Sequence, residues 1–164
     1  MSTMTLSRRN FLMASAFATA VPSLALAAAD PYANSPFRKL SDGDWRKRLP
    51  PPSFEVLRHE DTEVPGSSPL LNEHRKGTFD CAGCNLPLFS STTKFDSGTG
   101  WPSFWAPLPH AIETTSDNSW IATRTEVHCR RCGGHLGHVF DDGPKPTGLR
   151  YCMDGVALKF VPAA

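Results

Sequence analysis

The sequence predicts a mainly β domain with short helices near its N-terminal end and a structural zinc site. Fifteen prolines and twelve glycines in 164 residues favour short elements joined by turns over long helices. The segment 156–160 alternates apolar and polar residues, as a half-buried strand does. Four of the five cysteines form two C-x-x-C pairs, a pattern typical of a closed zinc site. This length gives room for one domain with a proper core.

The first 27 residues are expected to be a targeting segment. Ser7-Arg8-Arg9-Asn10-Phe11-Leu12 is a twin-arginine signature, and a mildly apolar, Ala-rich run follows it to Ala29. The run is too short to span a membrane, and cleavage is expected after Ala27 or Ala29. A chance Arg-Arg before a Sec-type signal is the alternative. We therefore expect a signal peptide at 1–27, a lead-in at 28–39, a domain at 40–164, and export to the periplasm.

The charge balance argues against a protein that binds nucleic acid or anionic membranes through its net charge. The chain has 17 basic and 16 acidic residues, and removing 1–27 deletes Arg8 and Arg9 but no acid, leaving 15 against 16. A net charge of about −1 gives no attraction to nucleic acid or to anionic membranes. We expect no stable membrane association and a monomer.

Local patterns predict the elements in chain order. Ser41 can cap a short helix that ends before Pro50, and 53–59 is a second short helix. Residues 60–71 are expected to be a loop. From Gly77 the pattern is β: 120–127 is a strand with Thr125 and Val127 on one face and Glu126 on the other, and 156–160 is another.

The two C-x-x-C pairs are expected to share one zinc ion. Cys81/Cys84 and Cys129/Cys132 are separated by 44 residues, so the site would tie an early hairpin to a later one. Four thiolates leave no open position, which makes the zinc structural. Gly83 and Gly133-Gly134 are expected to supply the freedom of the two turns. The alternatives are two disulfides, or one pair acting as a redox dithiol.

The fifth cysteine, Cys152, is the candidate nucleophile. Arg150 would point to the same face of a strand and depress the thiol pKa. His135 and His138, expected in a neighbouring extended segment, could bind or protonate a substrate oxygen. The alternatives are an inert core cysteine, structural histidines, and a second metal site made by both histidines with Asp141.

Together these motifs resemble the type B peptide methionine sulfoxide reductases, which act on the R epimer at sulfur. The resemblance covers roughly residues 40–160 and implies two small antiparallel sheets. It implies that Cys152 attacks sulfur and becomes a sulfenic acid, while His138 and His135 bind and protonate the oxygen. An external small thiol or thioredoxin-like protein would then restore the cysteine. The motifs that carry the resemblance are Cys81-Ala82-Gly83-Cys84, Gly100-Trp101-Pro102-Ser103-Phe104, His135 to Pro144 and Arg150-Tyr151-Cys152.

The resemblance also places Trp101, Phe140, Arg150 and Asp154 in the substrate-binding set. Trp101, which would ordinarily be read as a core residue, packs on the S-methyl group. The expected substrate is methionine-R-sulfoxide in oxidised proteins, and free methionine sulfoxide as well. This would make the protein an enzyme of oxidative-damage repair.

Two positions depart from the family pattern. Thr99 stands where many members carry a second, resolving cysteine, and Asp154 stands where asparagine is usual. An ionised Asp154 would raise the Cys152 pKa and oppose Arg150. A weakly active or non-enzymatic zinc module that recognises oxidised proteins is therefore the alternative function, and a thiol peroxidase is a further rival.

Overall fold

The computed structural model describes residues 30–119 and 122–164, and the expected signal peptide lies outside them. Two short helices open the domain: α1 spans Asp42–Arg48 and α2 spans Pro51–His59. Ser41 caps α1 through a capping box with Asp44, as predicted. Helix α2 begins two residues earlier than expected because a proline occupies its first position, where no backbone N–H is needed.

Nine strands form two antiparallel sheets within the described residues. The smaller sheet has the order β2-β1-β9 and the larger one the order β3-β4-β8-β7-β6-β5. The mainly β prediction is confirmed. The strands are β1 Gly77–Cys81, β2 Pro87–Ser90, β3 Lys94–Phe95, β4 Ser103–Phe104, β5 Ile112–Asp117, β6 Arg124–Cys129, β7 His135–Phe140, β8 Arg150–Met153 and β9 Leu158–Pro162.

Aromatic rings from both sheets meet in the core. Phe104 of β4 lies 4.9 Å from Phe79 of β1 and 4.4 Å from Phe89 of β2, measured between ring centroids. All three side chains are fully buried, which stabilises the fold by roughly 2–3 kcal/mol for each ring. The candidate functional site, described below, lies on the opposite face of the larger sheet.

Two details of the predicted strands are wrong. The 156–160 strand begins only at Leu158, because Gly155–Ala157 forms a 3-10 turn. In the described residues, the predicted 120–127 strand begins only at Arg124 and continues to Cys129. Glu126, predicted on the face opposite Thr125 and Val127, is 7% exposed because it bonds a buried histidine. Trp120 and Ile121, at the start of the other predicted strand, lie outside the described residues. Within the described part of the chain, no helix has both the length and the apolar character needed to cross a membrane.

Candidate active site

The two C-x-x-C pairs come together in the core. The sulfur atoms of all four cysteines lie within 4.8 Å of one another and are buried, and none of the five cysteines forms a disulfide. The close Sγ pairs join one knuckle to the other, Cys81 to Cys132 at 3.7 Å and Cys84 to Cys129 at 3.5 Å. Zinc with Zn–S bonds of about 2.3 Å separates tetrahedral sulfurs by about 3.8 Å. The residues therefore fit zinc better than disulfides, and they form the structural zinc site.

The two knuckles share one backbone pattern. In the first, the N–H of Asn85 donates to the carbonyl of Cys81 at 2.8 Å; in the second, Gly133 donates to Cys129 at 2.8 Å. The residue after each second cysteine has a positive φ, 60° at Asn85 and 71° at Gly133. Gly83 was expected to supply this freedom, which is wrong: asparagine, which tolerates the left-handed region, does so one residue after Cys84.

Arg131 supports the zinc site from outside the ligand set. Its Nε donates to Cys84 Sγ at 3.4 Å, and its Nη2 donates to the Cys84 carbonyl. A guanidinium beside the thiolates offsets part of their negative charge and orients a ligand. Arg131, which lies between the two cysteines of the second knuckle, thus places its positive charge beside Cys84 of the first knuckle.

Cross-strand pairing places the reactive residues on one face of the larger sheet. In the antiparallel β7–β8 pair, His138 lies opposite Cys152 and Phe140 lies opposite Arg150. Residues directly opposite one another share a face, so these four side chains form two adjacent rows. The expectation that the two segments pair is confirmed.

An irregularity in β7 brings the two histidines together. Residues three apart on a regular strand face opposite sides, but the β6–β7 register shifts between Val127 and His128, so Leu136 is an extra residue. The rings of His135 and His138 consequently lie 5.4 Å apart. The shift depends on Gly137, whose φ is 139°; an added Cβ would overlap the carbonyl oxygen of Cys152.

A cavity of about 210 Å³ opens in front of Cys152. Trp101 enters its lining from the turn before β4, and its Nε1 donates to the carbonyl of Glu63 at 3.2 Å. The guanidinium of Arg150 lies 4.4 Å from the Phe140 ring centroid and is held by two bonds to Asp142, at 2.7 and 2.9 Å. The cavity is lined by Thr62, Trp101, Arg124, Gly137, His138, Phe140, Cys152 and Asp154.

Burial dominates the ionisation of Cys152. It raises the pKa of the thiol above its usual value, and the charge of Asp154 adds to this. A hydrogen bond with Thr99 and the charge of Arg150 act in the opposite direction without overcoming burial. Thr99 Oγ1 lies 3.7 Å from Cys152 Sγ. The expected effect of Arg150 is present, but the net depression of the pKa is not.

His138 is oriented by an acidic residue that sequence reasoning missed. Its Nε2 lies 2.9 Å from Asp117 Oδ2 at the end of β5. Hydrogen bonds from Ser119 and His138 hold the pKa of Asp117 well below its usual range. Because an ionised carboxylate only accepts, His138 donates from Nε2. Nothing in the sequence connects positions 117 and 138; only the order β7-β6-β5 does.

His135 lies behind the cavity rather than in its lining. It is 3% exposed, and its Nδ1 is 2.5 Å from Glu126 Oε1. Burial lowers the pKa of His135. Its Nε2 has no hydrogen-bond partner and lies 3.8 Å from Asp154 Oδ2.

Asp154 and Glu63 complete the site. Asp154 is 3% exposed and accepts a hydrogen bond at 2.9 Å from the Glu63 backbone. The Glu63 carboxylate accepts the N–H groups of Gly155 at 2.5 Å and Val156 at 3.1 Å. Glu63 therefore fastens the 60–71 loop to the end of β8. This role of Glu63 could not be predicted from the sequence, because the residue lies inside a predicted loop.

The second metal site considered from sequence is not assembled. Among residues 30–119 and 122–164, the four cysteines are the only group of potential metal ligands that converges. Asp141 is exposed, whereas His135 is buried and His138 is half-buried.

A two-sheet domain with a zinc brace and one free cysteine in an aromatic cavity belongs to the thiol-dependent oxidoreductases. Residues 49–162 match the SelR domain, and the chain belongs to the SelR family of type B peptide methionine sulfoxide reductases, which confirms the resemblance.

Relatives span bacteria and plants. "Peptide methionine sulfoxide reductase MsrB" of Agrobacterium fabrum is 50% identical over 129 residues, covering 78% of this chain and 96% of the relative. The protein of the same name from Pseudomonas putida is 52% identical over 120 residues, covering 73% and 90%. "Peptide methionine sulfoxide reductase B1, chloroplastic" of Arabidopsis thaliana is 48% identical over 124 residues, covering 75% and 61%.

Proposed function

We propose that this protein reduces methionine-R-sulfoxide to methionine at Cys152. The observation that carries the proposal is the cavity in which Cys152 stands opposite His138 and beside Trp101, Phe140 and Asp154. A sulfoxide needs a nucleophile at sulfur, an acid at oxygen and an apolar contact for the methyl group. The cavity offers each of these from this chain's own residues.

Aromatic and charged groups divide the binding task. Trp101 and Phe140 present ring surface to the methyl group next to sulfur, a contact that aromatic rings favour. His138, held by Asp117, lines the cavity where the oxygen would lie. Arg150 keeps its charge near Cys152 and favours the thiolate that forms during attack. His135 lies behind the cavity, with its Nε2 3.8 Å from Asp154 Oδ2.

The oxidised cysteine is regenerated from outside. Attack transfers the oxygen to Cys152 as a sulfenic acid and releases methionine. The other four cysteines are zinc ligands, and Thr99, whose Oγ1 lies 3.7 Å from Cys152 Sγ, carries no thiol. No resolving thiol stands near Cys152 in the described residues, so an external small thiol or a thioredoxin-like protein reduces the sulfenic acid. After one turnover, an intramolecular disulfide to Cys152 would contradict this route.

The preferred substrates are oxidised proteins, and free methionine sulfoxide is a second substrate. The cavity is about 210 Å³ and half-exposed residues line it, which suits one side chain reached from the surface. Because the contacts are confined to one methyl group and one oxygen, recognition depends little on the residues next to the oxidised methionine in the substrate. We further propose that the protein works as a monomer.

The direct test uses both epimers of dabsylated methionine sulfoxide with dithiothreitol. We expect the R epimer alone to be consumed by the wild-type protein, and the Cys152→Ser variant to be inactive. Consumption of neither epimer would favour a binding module. Consumption of the S epimer would place the activity in another class.

We also propose export by the twin-arginine route. Residues 7–12 carry the signature, and the SelR match begins only at residue 49. This route is generally understood to carry folded proteins, so zinc would be bound in the cytoplasm and would protect the four thiolates from oxidation in the periplasm. Replacing Arg8 and Arg9 with lysine should leave uncleaved protein in the cytoplasm, whereas the wild type should begin at Ala28 or Asp30 in the periplasm. Periplasmic delivery of the lysine variant would contradict the route.

A further inference from the structure

Asp154 is a buried carboxyl group in the wall of the reactive cavity. It is 3% exposed, and it lies two residues after Cys152, at the end of β8. Its Oδ1 accepts the Glu63 backbone N–H at 2.9 Å. The basic side chain at its other oxygen is His135, whose Nε2 lies 3.8 Å from Asp154 Oδ2. A carboxylate in this position would be largely dehydrated, which disfavours the ionised form.

Several titratable groups surround Asp154. Glu63 and Asp61, from the loop after α2, are acidic and repel a negative charge on Asp154. His135, from β7, is kept neutral by its own burial. Cys152, on the same strand, is a thiol or an anion. Arg124 of β6 and His138 of β7 line the same cavity, and both pair with Asp117. The Glu63 N–H favours ionised Asp154, but burial outweighs it and the neighbouring acids add to burial.

His135 leaves the second oxygen of Asp154 free. His135 Nδ1 lies 2.5 Å from Glu126 Oε1, and a neutral imidazole that donates from Nδ1 presents only a lone pair at Nε2. That atom lies 3.8 Å from Asp154 Oδ2, beyond hydrogen-bond distance. A proton on Oδ2 thus has no committed acceptor in the described structure, and His135 Nε2 has no proton to give to a substrate.

We propose that Asp154, in its neutral form, is the catalytic acid that gives its proton to the sulfoxide oxygen. The assignment rests on the proposed function and names the group that acts in it. Burial raises the pKa of Asp154 to about 7, which keeps a large protonated fraction available at neutral pH. An asparagine at this position could donate a hydrogen bond but could not transfer a proton.

The protons and electrons of the proposed oxygen transfer balance. The Cys152 thiolate supplies an electron pair to the sulfoxide sulfur while Asp154 Oδ2–H passes its proton to the oxygen. A bond forms between Cys152 Sγ and the substrate sulfur. As the hydroxyl group passes from that sulfur to Sγ, this bond and the substrate's sulfur–oxygen bond both break. Sulfoxide is reduced to thioether, Cys152 is oxidised to sulfenic acid, and Asp154 is left ionised. Solvent then reprotonates Asp154.

This assignment predicts an unusual pH profile for the chemical step. Asp154 must be protonated and Cys152 ionised, although the thiol has the higher pKa. Above about pH 7 the protonated fraction of Asp154 falls about tenfold per pH unit while the thiolate fraction rises by the same factor. The single-turnover rate should therefore be flat between about pH 7 and pH 8.5. In Asp154→Asn only the thiolate fraction changes, so the rate should rise about tenfold per pH unit across that window.

The test measures methionine formed from the R epimer in a single turnover, without reductant, by both proteins. A flat wild-type profile with a rising Asp154→Asn profile supports the assignment. Parallel profiles from two active proteins overturn it and leave the proposed reduction intact. If the wild type forms no methionine, both proposals fall.

An infrared measurement gives a readout that does not depend on activity. In the Cys152→Ser protein, a carboxylic acid C=O band should vanish as the pH rises through about 7, and it should be absent when Asp154→Asn is added. A carboxylate already ionised at pH 6 would overturn the assignment, whatever the rates.

Discussion

Replacing Gly137 with alanine tests how the fold builds the site. The residue has a φ of 139° and an added Cβ would overlap the Cys152 carbonyl and lie 3.0 Å from the Met153 Cα. Backbone strain in this region costs about 1–3 kcal/mol, and forcing two strands apart costs a further 1–3 kcal/mol or so. We expect destabilisation of about 4 kcal/mol, which lowers Tm by roughly 10–20 °C for a domain of this size. Gly148→Ala is the matched control, since its φ is 73° and nothing lies within 4 Å of the added atom.

The same substitution should separate Cys152 from His138. Displacement by about 1 Å costs on the order of a hundredfold in rate, so Gly137→Ala should form methionine about a hundred times more slowly at a temperature where it is folded. Calorimetry gives the Tm values and single-turnover assays give the rates. If Gly137→Ala were no less stable than Gly148→Ala and equally active, the account of β7 would be refuted.

Three further predictions follow from the zinc site, Thr99 and Asp154. Cys132→Ser should lower bound zinc from about one ion per chain to well below one and abolish cooperative unfolding, measured by metal analysis and calorimetry; Arg131→Lys should keep the metal, and a cooperative Cys132→Ser protein would contradict the structural role. Thr99→Cys should give a disulfide to Cys152 after one turnover, seen by peptide mapping, because the Thr99 hydroxyl lies 3.7 Å from the sulfur; a persistent sulfenic acid would contradict that placement. Asp154 has a pKa raised from 3.8 to about 7 in the fold, so the folded state binds its proton more tightly and stability falls as pH rises between those values. That rise corresponds to about 4 kcal/mol, so Asp154→Asn should unfold at a higher denaturant concentration than the wild type at pH 8, and should lose this advantage near pH 4. Equal differences at both pH values would contradict the raised pKa.

Much of this fold was accessible from sequence because its signals are local. Ser41 and Asp44 specify a helix start within four residues, and alternation in 156–160 predicts most of a strand. The two C-x-x-C pairs predict the zinc site since their chemistry dictates that they meet. The motif around Cys152 then identifies the family, confirmed by the SelR match over residues 49–162.

The parts that escaped prediction depend on tertiary contacts. Alternation places Glu126 on the face opposite Thr125 and Val127, but it does not reveal that the register shift at Leu136 brings a buried histidine against it. Asp117 and Glu63 come from distant segments and gain their roles only through sheet order and loop docking. The charge of Arg150 was correctly expected to favour the thiolate, whereas the larger opposing effect of burial cannot be read from neighbouring residues.

The central claim is that Cys152 removes the oxygen from methionine-R-sulfoxide without help from another cysteine. It is tested most directly by the stoichiometry of a reaction run without reductant, with a sulfenic acid trap present. The account predicts about one methionine per chain, with the trap attached at Cys152 and the other four cysteines still holding zinc. Methionine formed by Cys152→Ser at the wild-type yield, or no methionine from the wild type, would contradict it.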